Sequence, residues 1–223
     1  MKNSRQPKDK IIEPEKLAVI CKVLREQGWT VVFTNGCFDL LHSGHVHLLQ
    51  KAREAGDVLI VGLNSDESIR GLKGPMRPIM PQTERCQMIA SFECVNYVVV
   101  FDEPDPHEII SRLRPGVLVK GGDWEINTII GRDIVEADGG RVLRIDRREG
   151  LSTTNIIEKV SSLRQGEKMY EAKKTWNSKL IITLGAIASV TAMACAGVIT
   201  GGVALPAIAG LATAYTGYRH LTK

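Results

Sequence analysis

Five short runs of β-branched and aliphatic residues, each closing on a polar or glycine-rich break, constrain this chain more than any other feature. They are TVVFT at 30–34, DVLIVGL at 57–63, VNYVVVF at 95–101, VLVK at 117–120 and RVLRID at 141–146. DVLIVGL is almost unbroken in apolarity, as in a strand covered on both faces. Helical stretches separate the runs. Ile12, Leu17, Ile20 and Leu24 recur near helical spacing over 11–28, with Gly28 where a C-cap glycine belongs. Further helices are predicted from about 44 to 56 (Val46, Leu48, Leu49 and Ala52 inward) and over 83–93, 106–113, 132–137 and 153–164. The stretch 64–81, which contains GPMRP, reads as a long functional loop.

Strands alternating with helices imply an α/β fold: a Rossmann-like, doubly wound sheet of five parallel strands with right-handed crossovers. Ligands of such sheets lie beyond the carboxyl ends of the strands, at the switch in strand order. Residues 34–45, 64–78, 120–124 and 150–154 are therefore where chemistry is expected.

Charge narrows the partners. The net charge is +4, but 27 basic and 25 acidic residues remain once Arg219 and Lys223 are set aside, with no basic stripe suited to nucleic acid. Five cysteines (Cys21, Cys37, Cys86, Cys94, Cys195) without CxxC spacing suit a reduced domain better than a disulfide framework or a zinc site. No apolar segment follows the charged first ten residues, so no amino-terminal secretory signal is expected and the folded part is expected in the cytoplasm.

The most informative segment is TNGCFDLLHSGHVHLL at 34–49. Asn35-Gly36 ends a buried strand, and His42 and His45 flank Ser43-Gly44 at a helix start. Two imidazoles beside free helix amides favour an anion, and Gly44 lets a ligand approach the backbone. A triphosphate there would meet imidazole donors able to stabilise charge on a departing phosphate. Solvated helix-start residues and zinc ligands are the competing readings of the pair; His47 reads as a surface helix residue.

TNGCFDLLHSGH resembles the HxGH signature of the nucleotidyltransferases, in their cytidylyltransferase-like branch, over about residues 28–160. VGLNSD, LKGPMRPIMP, LVKGGDW and LSTTNIIEKV resemble the bacterial adenylyltransferases that make ADP-heptose from D-glycero-β-D-manno-heptose 1-phosphate. The resemblance implies that His42 and His45 bind the triphosphate and stabilise the pentacoordinate phosphorus and leaving pyrophosphate. Thr34, Asn35, Gly36 and Phe38 would form the wall facing the nucleotide. Ser152, Thr153 and Thr154 would bind the β- and γ-phosphates, although a Ser-Thr-Thr opening a helix is also a plain N-cap. Lys159 is the nearest basic residue later in that helix. Lys73 and Arg77 would close over the phosphates from a loop, or be solvated surface cations. Lys120 ends an apolar strand, an expensive place for an ammonium without an anion. Gly121, Gly122 and Asp123 would receive a base or sugar, and Trp124 would stack on the base or cap the fold. Asn64 and Asp66 follow a strand and suit sugar hydroxyls. Asp39 either joins them or fixes the turn before the histidines.

The implied reaction is attack by a sugar 1-phosphate oxygen on the α-phosphorus of ATP, giving an ADP-sugar and pyrophosphate. Mg²⁺ would travel with the triphosphate, and no carboxylate cluster suggests a dedicated metal site. Bifunctional relatives carry a sugar kinase, which residues 1–29 have no room for, so a separate kinase is expected; a homodimer is common among relatives. A cytidylyltransferase acting on glycerol 3-phosphate or another polyol phosphate is the competing enzyme, because GGDW and EGLSTT echo it, while LKGPMRP favours heptose. The non-enzyme alternative is a membrane-tethered nucleotide-binding module.

Residues 180–218 form 39 consecutive positions without Asp, Glu, Lys, Arg or His. The first arm, 180–200, would be about 31 Å long as a helix, enough for a bilayer core. Gly201-Gly202 interrupts, and 203–218 offers a shorter second arm. Gly197 with Gly201 and Gly210 with Ala214 permit close helix contact. Lys173, Lys174 and Lys179 before the run, with Arg219 and Lys223 after it, suggest a re-entering hairpin held at the inner face of a membrane. A buried helical pair in a soluble oligomer is the other reading. The expected organisation is a leading helix (1–28), a nucleotidyltransferase domain (29–164), a linker (165–179), a transmembrane hairpin (180–218) and a basic end (219–223).

Overall fold

The computed structural model describes residues 5–122, 125–146 and 152–195. The chain divides into two compact units, Met1–Ile157 and Glu158–Lys223.

The first unit is built on five strands, β1 (Val31–Gly36), β2 (Val58–Asn64), β3 (Tyr97–Phe101), β4 (Val117–Gly121) and β5 (Arg141–Ile145). They pair in parallel in the order β3-β2-β1-β4-β5. The helices are α1 (Pro14–Glu26), α2 (Ser43–Glu54), α3 (Asp66–Lys73), α4 (Gln82–Ala90), α5 (His107–Leu113), α6 (Arg132–Ala137) and α7 (Thr153–Cys195), with short 3-10 turns at Pro7–Lys10 and Ile126–Thr128.

Alternation along each strand sends side chains to two cores. Val31, Phe33, Ile60 and Leu118 pack with Leu17 and Cys21 of α1, Ile110 and Leu113 of α5, and Val135 of α6. Val32, Leu59, Val61 and Val119 pack on the other face with Leu49 and Ala52 of α2 and with Cys86 and Ile89 of α4. Every residue of β2 is buried, as its unbroken apolar run predicts. Gly62 sits where a Cβ would lie 2.6 Å from Phe33 Cζ, so the closeness of β1 and β2 depends on its missing side chain. The outer edge of β3 is not bare: Ile11 pairs in parallel with Val98, and Ile12 N–H donates to the Val98 carbonyl at 2.9 Å.

The structure corrects three features of the sequence reading. The stretch 64–81 is not all loop, because α3 occupies Asp66–Lys73, capped by Ser65, whose hydroxyl accepts from Ser68 N at 3.2 Å. The leading helix starts at Pro14, since residues 11 and 12 serve the sheet edge instead. The last helix does not stop near Arg164; it continues through 165–179 to Cys195. Among the described residues no helix is long and apolar enough to cross a membrane. The expected second arm, 203–218, lies outside the described residues, as do Asp123 and Trp124.

Candidate active site

The switch in strand order falls between β1 and β4, where successive connections leave in opposite directions along the sheet. A cavity of about 350 Å³ opens at the carboxyl ends of these strands. It gathers segments distant in sequence: Asn35 to Asp39 at the end of β1 and just beyond it, the start of α2, Lys73 at the end of α3 with Arg77 of the α3–α4 connection, Gly121 and Gly122, and Ser152 to Thr154.

His42 and His45 are built into the start of α2 as a reciprocal cap. His42 Nδ1 accepts from Gly44 N at 3.1 Å, and His45 Nδ1 accepts from His42 N at 3.3 Å. An Nδ1 that accepts an amide proton places the neutral ring's own proton on Nε2, a donor of the kind a phosphate oxygen needs. The two rings lie 4.0 Å apart by centroid, and Phe38 packs 5.3 Å from His45. Phe38 holds φ at +44°, a left-handed conformation costly for a bulky residue, at the turn that carries the chain from β1 toward the histidines.

The start of α7 brings a second helix amino terminus to the cavity. Ser152 Oγ accepts from Asn155 N at 3.0 Å, so the N-cap reading of this serine holds. Thr153 Oγ1 donates to the Leu40 carbonyl at 3.1 Å, fixing the helix start against the loop that precedes the histidines. With α2 and α7 both opening on one cavity, their amino-terminal dipoles favour a polyanion there.

The α3–α4 connection is braced from below. Asp39, 2% exposed, accepts from Ile79 N at 2.9 Å and Met80 N at 2.8 Å. Arg77 Nε lies 2.8 Å from Asp39 Oδ2, a charge contact without an aligned N–H···O bond. Asp39 thus fixes a loop rather than the turn before the histidines, although it also lines the cavity.

Four predicted residues stand behind the lining rather than in it. Thr34 is fully buried, and its hydroxyl has no hydrogen-bond partner among the described residues. Asn64 Nδ2 donates to Ser68 Oγ at 3.1 Å. Asp66 pairs with Arg85 at 2.8 Å and accepts from Gln82 N at 3.1 Å, so its carboxylate is committed to the scaffold. Lys120 donates to Asn35 Oδ1 at 2.6 Å, and burial brings its pKa down to about 8.

The sequence reading passed over several lining residues: Cys37, His47, Leu48, Ile145 and Asp146. His47, expected at the surface, faces the cavity because it follows Gly44 by three positions on the same helix face. Gly44, His47 and Leu48 share that face, a spacing visible in the sequence. Asp146 follows β5 directly, beside Gly122, whose N–H donates to the Ile145 carbonyl at 3.0 Å.

Known proteins are similar to this chain in sequence and in fold. The chain is 58% identical over 146 residues to the Bifunctional protein HldE of Syntrophotalea carbinolica, covering 66% of this chain and 30% of that protein. It is 55% identical over 151 residues to the Bifunctional protein HldE of Geobacter sulfurreducens, covering 68% and 31%. The chain therefore spans only some 30% of the length of these curated relatives. Pantoate-beta-alanine ligase from Francisella tularensis shares the fold, with a TM-score of 0.51 at 17% identity over 72% of this chain and 77% of that one. A model of the cytidylyltransferase-like family matches residues 33–162, more than half of the sequence, and the chain belongs to that family.

Proposed function

We propose that this chain transfers the adenylyl group of ATP to a sugar 1-phosphate, D-glycero-β-D-manno-heptose 1-phosphate, releasing pyrophosphate. The observation that carries the reading is the single cavity where the histidine pair, two loop cations and two helix amino termini converge. High identity to HldE proteins supports the same reaction class. The resemblance of VGLNSD and LKGPMRP to the ADP-heptose-forming enzymes supports heptose as the sugar.

The acceptor phosphate is ionised and needs no protein nucleophile. A phosphate oxygen attacks the α-phosphorus in line, the bond to the β-phosphate oxygen breaks, and pyrophosphate leaves with the electron pair. His42 and His45 donate from Nε2 to the triphosphate as negative charge moves toward the leaving group. Ser152, Thr153 and Thr154 hold the departing phosphates with the α7 amino terminus, while Lys73 and Arg77, which line the same cavity, add their positive charge. Positioning and charge neutralisation carry the acceleration. The donor set fits a magnesium-bearing triphosphate: Asp39 is occupied by the α3–α4 connection, and the other charged and polar groups mostly suit phosphate oxygens. Mg²⁺ would then be held chiefly by phosphate oxygens and would neutralise their charge.

Pyrophosphate release with ATP and with CTP, each against heptose 1-phosphate and glycerol 3-phosphate, tests the proposal. The ATP and heptose 1-phosphate pair is expected to exceed the other three by at least about tenfold, a difference of ~1.4 kcal/mol in transition-state binding. Preference for CTP with glycerol 3-phosphate would establish the cytidylyltransferase reading, and no release with any pair would leave a binding module. The acceptor is itself the product of a kinase-class reaction, on this polypeptide or another.

The charge-free run 180–218 with its basic flanks attaches the chain to the inner face of a membrane, leaving the catalytic unit in the cytoplasm. The described part of that run, to Cys195, does not by itself meet the length and apolarity of a span. The full chain is expected to sediment with membranes and resist carbonate extraction, whereas a version ending at Gly166 stays in the supernatant. A freely soluble full chain would overturn the attachment.

A further inference from the structure

Arg85 is the one charged residue among the fully buried side chains of the described chain, at 0% exposure. A guanidinium so placed survives only when its donors are satisfied. Nε donates to the Met80 carbonyl at 3.1 Å, one NH2 group to the Cys37 carbonyl at 2.6 Å and the other to Asp66 Oδ1 at 2.8 Å. Those acceptors lie on segments that lead to different walls of the cavity: Cys37 lines it and immediately precedes Phe38 and Asp39 on the way to the histidines, Met80 follows Arg77 in the same connection, and Asp66, behind the lining, opens α3, which ends at Lys73. Met80 is gripped from both sides, its N–H by Asp39 and its carbonyl by Arg85.

We infer that Arg85 is a positioning residue for adenylyl transfer, one that sets Arg77 at a fixed place relative to His42 and His45 by tying the α3–α4 connection to the loop after β1. Arg85 does not line the cavity and touches no substrate; it acts through Arg77. Lysine cannot replace it, because one ammonium does not reach three acceptors in a planar fork. The inference rests on the proposed reaction, in which Arg77 contacts phosphate.

The test is a double-mutant cycle on kcat with Arg85→Lys, Arg77→Ala and the pair, each first shown to be folded by its thermal transition. Arg85→Lys is expected to lower kcat by about ten- to a hundredfold while KM for ATP moves less than about threefold. In the Arg77→Ala background the same change should cost less than about threefold, since the group it positions is already gone. Asp66→Asn, which removes one anchor of the guanidinium without emptying the core, should repeat the pattern more weakly. Amide hydrogen exchange at Ile79 and Met80, which needs no acceptor, should quicken in Arg85→Lys while the β1 amides of Val32 and Phe33 stay protected. Equal losses in both backgrounds, a KM effect without a kcat effect, or unchanged exchange at 79–80 overturns the role. A wild type that transfers nothing sinks the proposed function instead, and exchange at Ile79 and Met80 still judges the brace.

Discussion

Alanine at His42 or His45 is expected to lower pyrophosphate release by about a hundredfold to a thousandfold, the usual loss on removing one donor to a developing oxyanion. The measurement needs care, because each ring also caps α2: His42 Nδ1 accepts from Gly44 N and His45 Nδ1 from His42 N. Losing the His42 cap alone costs roughly 1 kcal/mol of stability. His42→Asn separates the two jobs. Asparagine is a good N-cap and keeps an acceptor for the helix amide, but it offers no ring nitrogen at the Nε2 position. It should melt close to wild type and still lose most of its turnover. Near-normal pyrophosphate release in either alanine variant would reject the assigned chemistry, whatever its melting temperature.

The second large effect concerns Lys120, where stability and activity should move in opposite directions. Burial holds its pKa at about 8, against an ordinary lysine value near 10.4. Below pH 8 the ammonium is charged in both folded and unfolded chains, and the folded state bears the full cost of its desolvation. Between pH 8 and about 10.4 the unfolded chain binds the proton that the folded chain has released, so this group's contribution raises stability with pH across that window. The shift corresponds to roughly 3 kcal/mol at neutral pH. Lys120→Met should therefore raise the unfolding free energy at pH 7 by about 1–2 kcal/mol, part of the gain being lost to Asn35 Oδ1, which no longer receives its donor. The gain should vanish near pH 10.5. ATP affinity should fall in the same variant, and in the wild type triphosphate binding should take up a proton at pH 8–9, as a nearby anion restores the ammonium. A gain over the wild type no larger at pH 7 than at pH 10.5 would contradict this account.

Much of the first unit was legible because its strands are continuous apolar runs that have to be covered on both faces. DVLIVGL could hardly be anything else, and β2 is buried along its whole length. Helix α3 escaped notice for the opposite reason. It has eight residues, includes Gly71, and buries only Ser68 and Ile69, too little for a periodic signal. Ser65 followed by Asp66 and Glu67 was the cue: a cap and two acids at a helix start. Motifs located the histidines, the loop cations and the Ser-Thr-Thr segment, which the fold assembles in one cavity. The supports beneath that cavity were not legible. Asp66 looked like a sugar ligand because it follows a strand, and only the packed structure shows that Arg85 claims it. Arg85 sits in sequence beside Cys86 and four residues before Ile89, on the apolar side of its helix, but its acceptors at residues 37, 66 and 80 come from three other segments. Long-range polar pairing has no local period from which to read it.

The pairing of Ile11 with Val98 has a consequence outside catalysis. A parallel sheet ends in strands whose amides and carbonyls invite another chain to add itself, and β3 is such a strand, rich in valine. By donating from Ile12 to the Val98 carbonyl and laying Ile11 against the core, the segment before α1 occupies that invitation with the protein's own backbone. Those few residues act as a guard against self-association, so trimming them as dispensable would leave the cavity beyond β1 and β4 intact and make the molecule prone to aggregate.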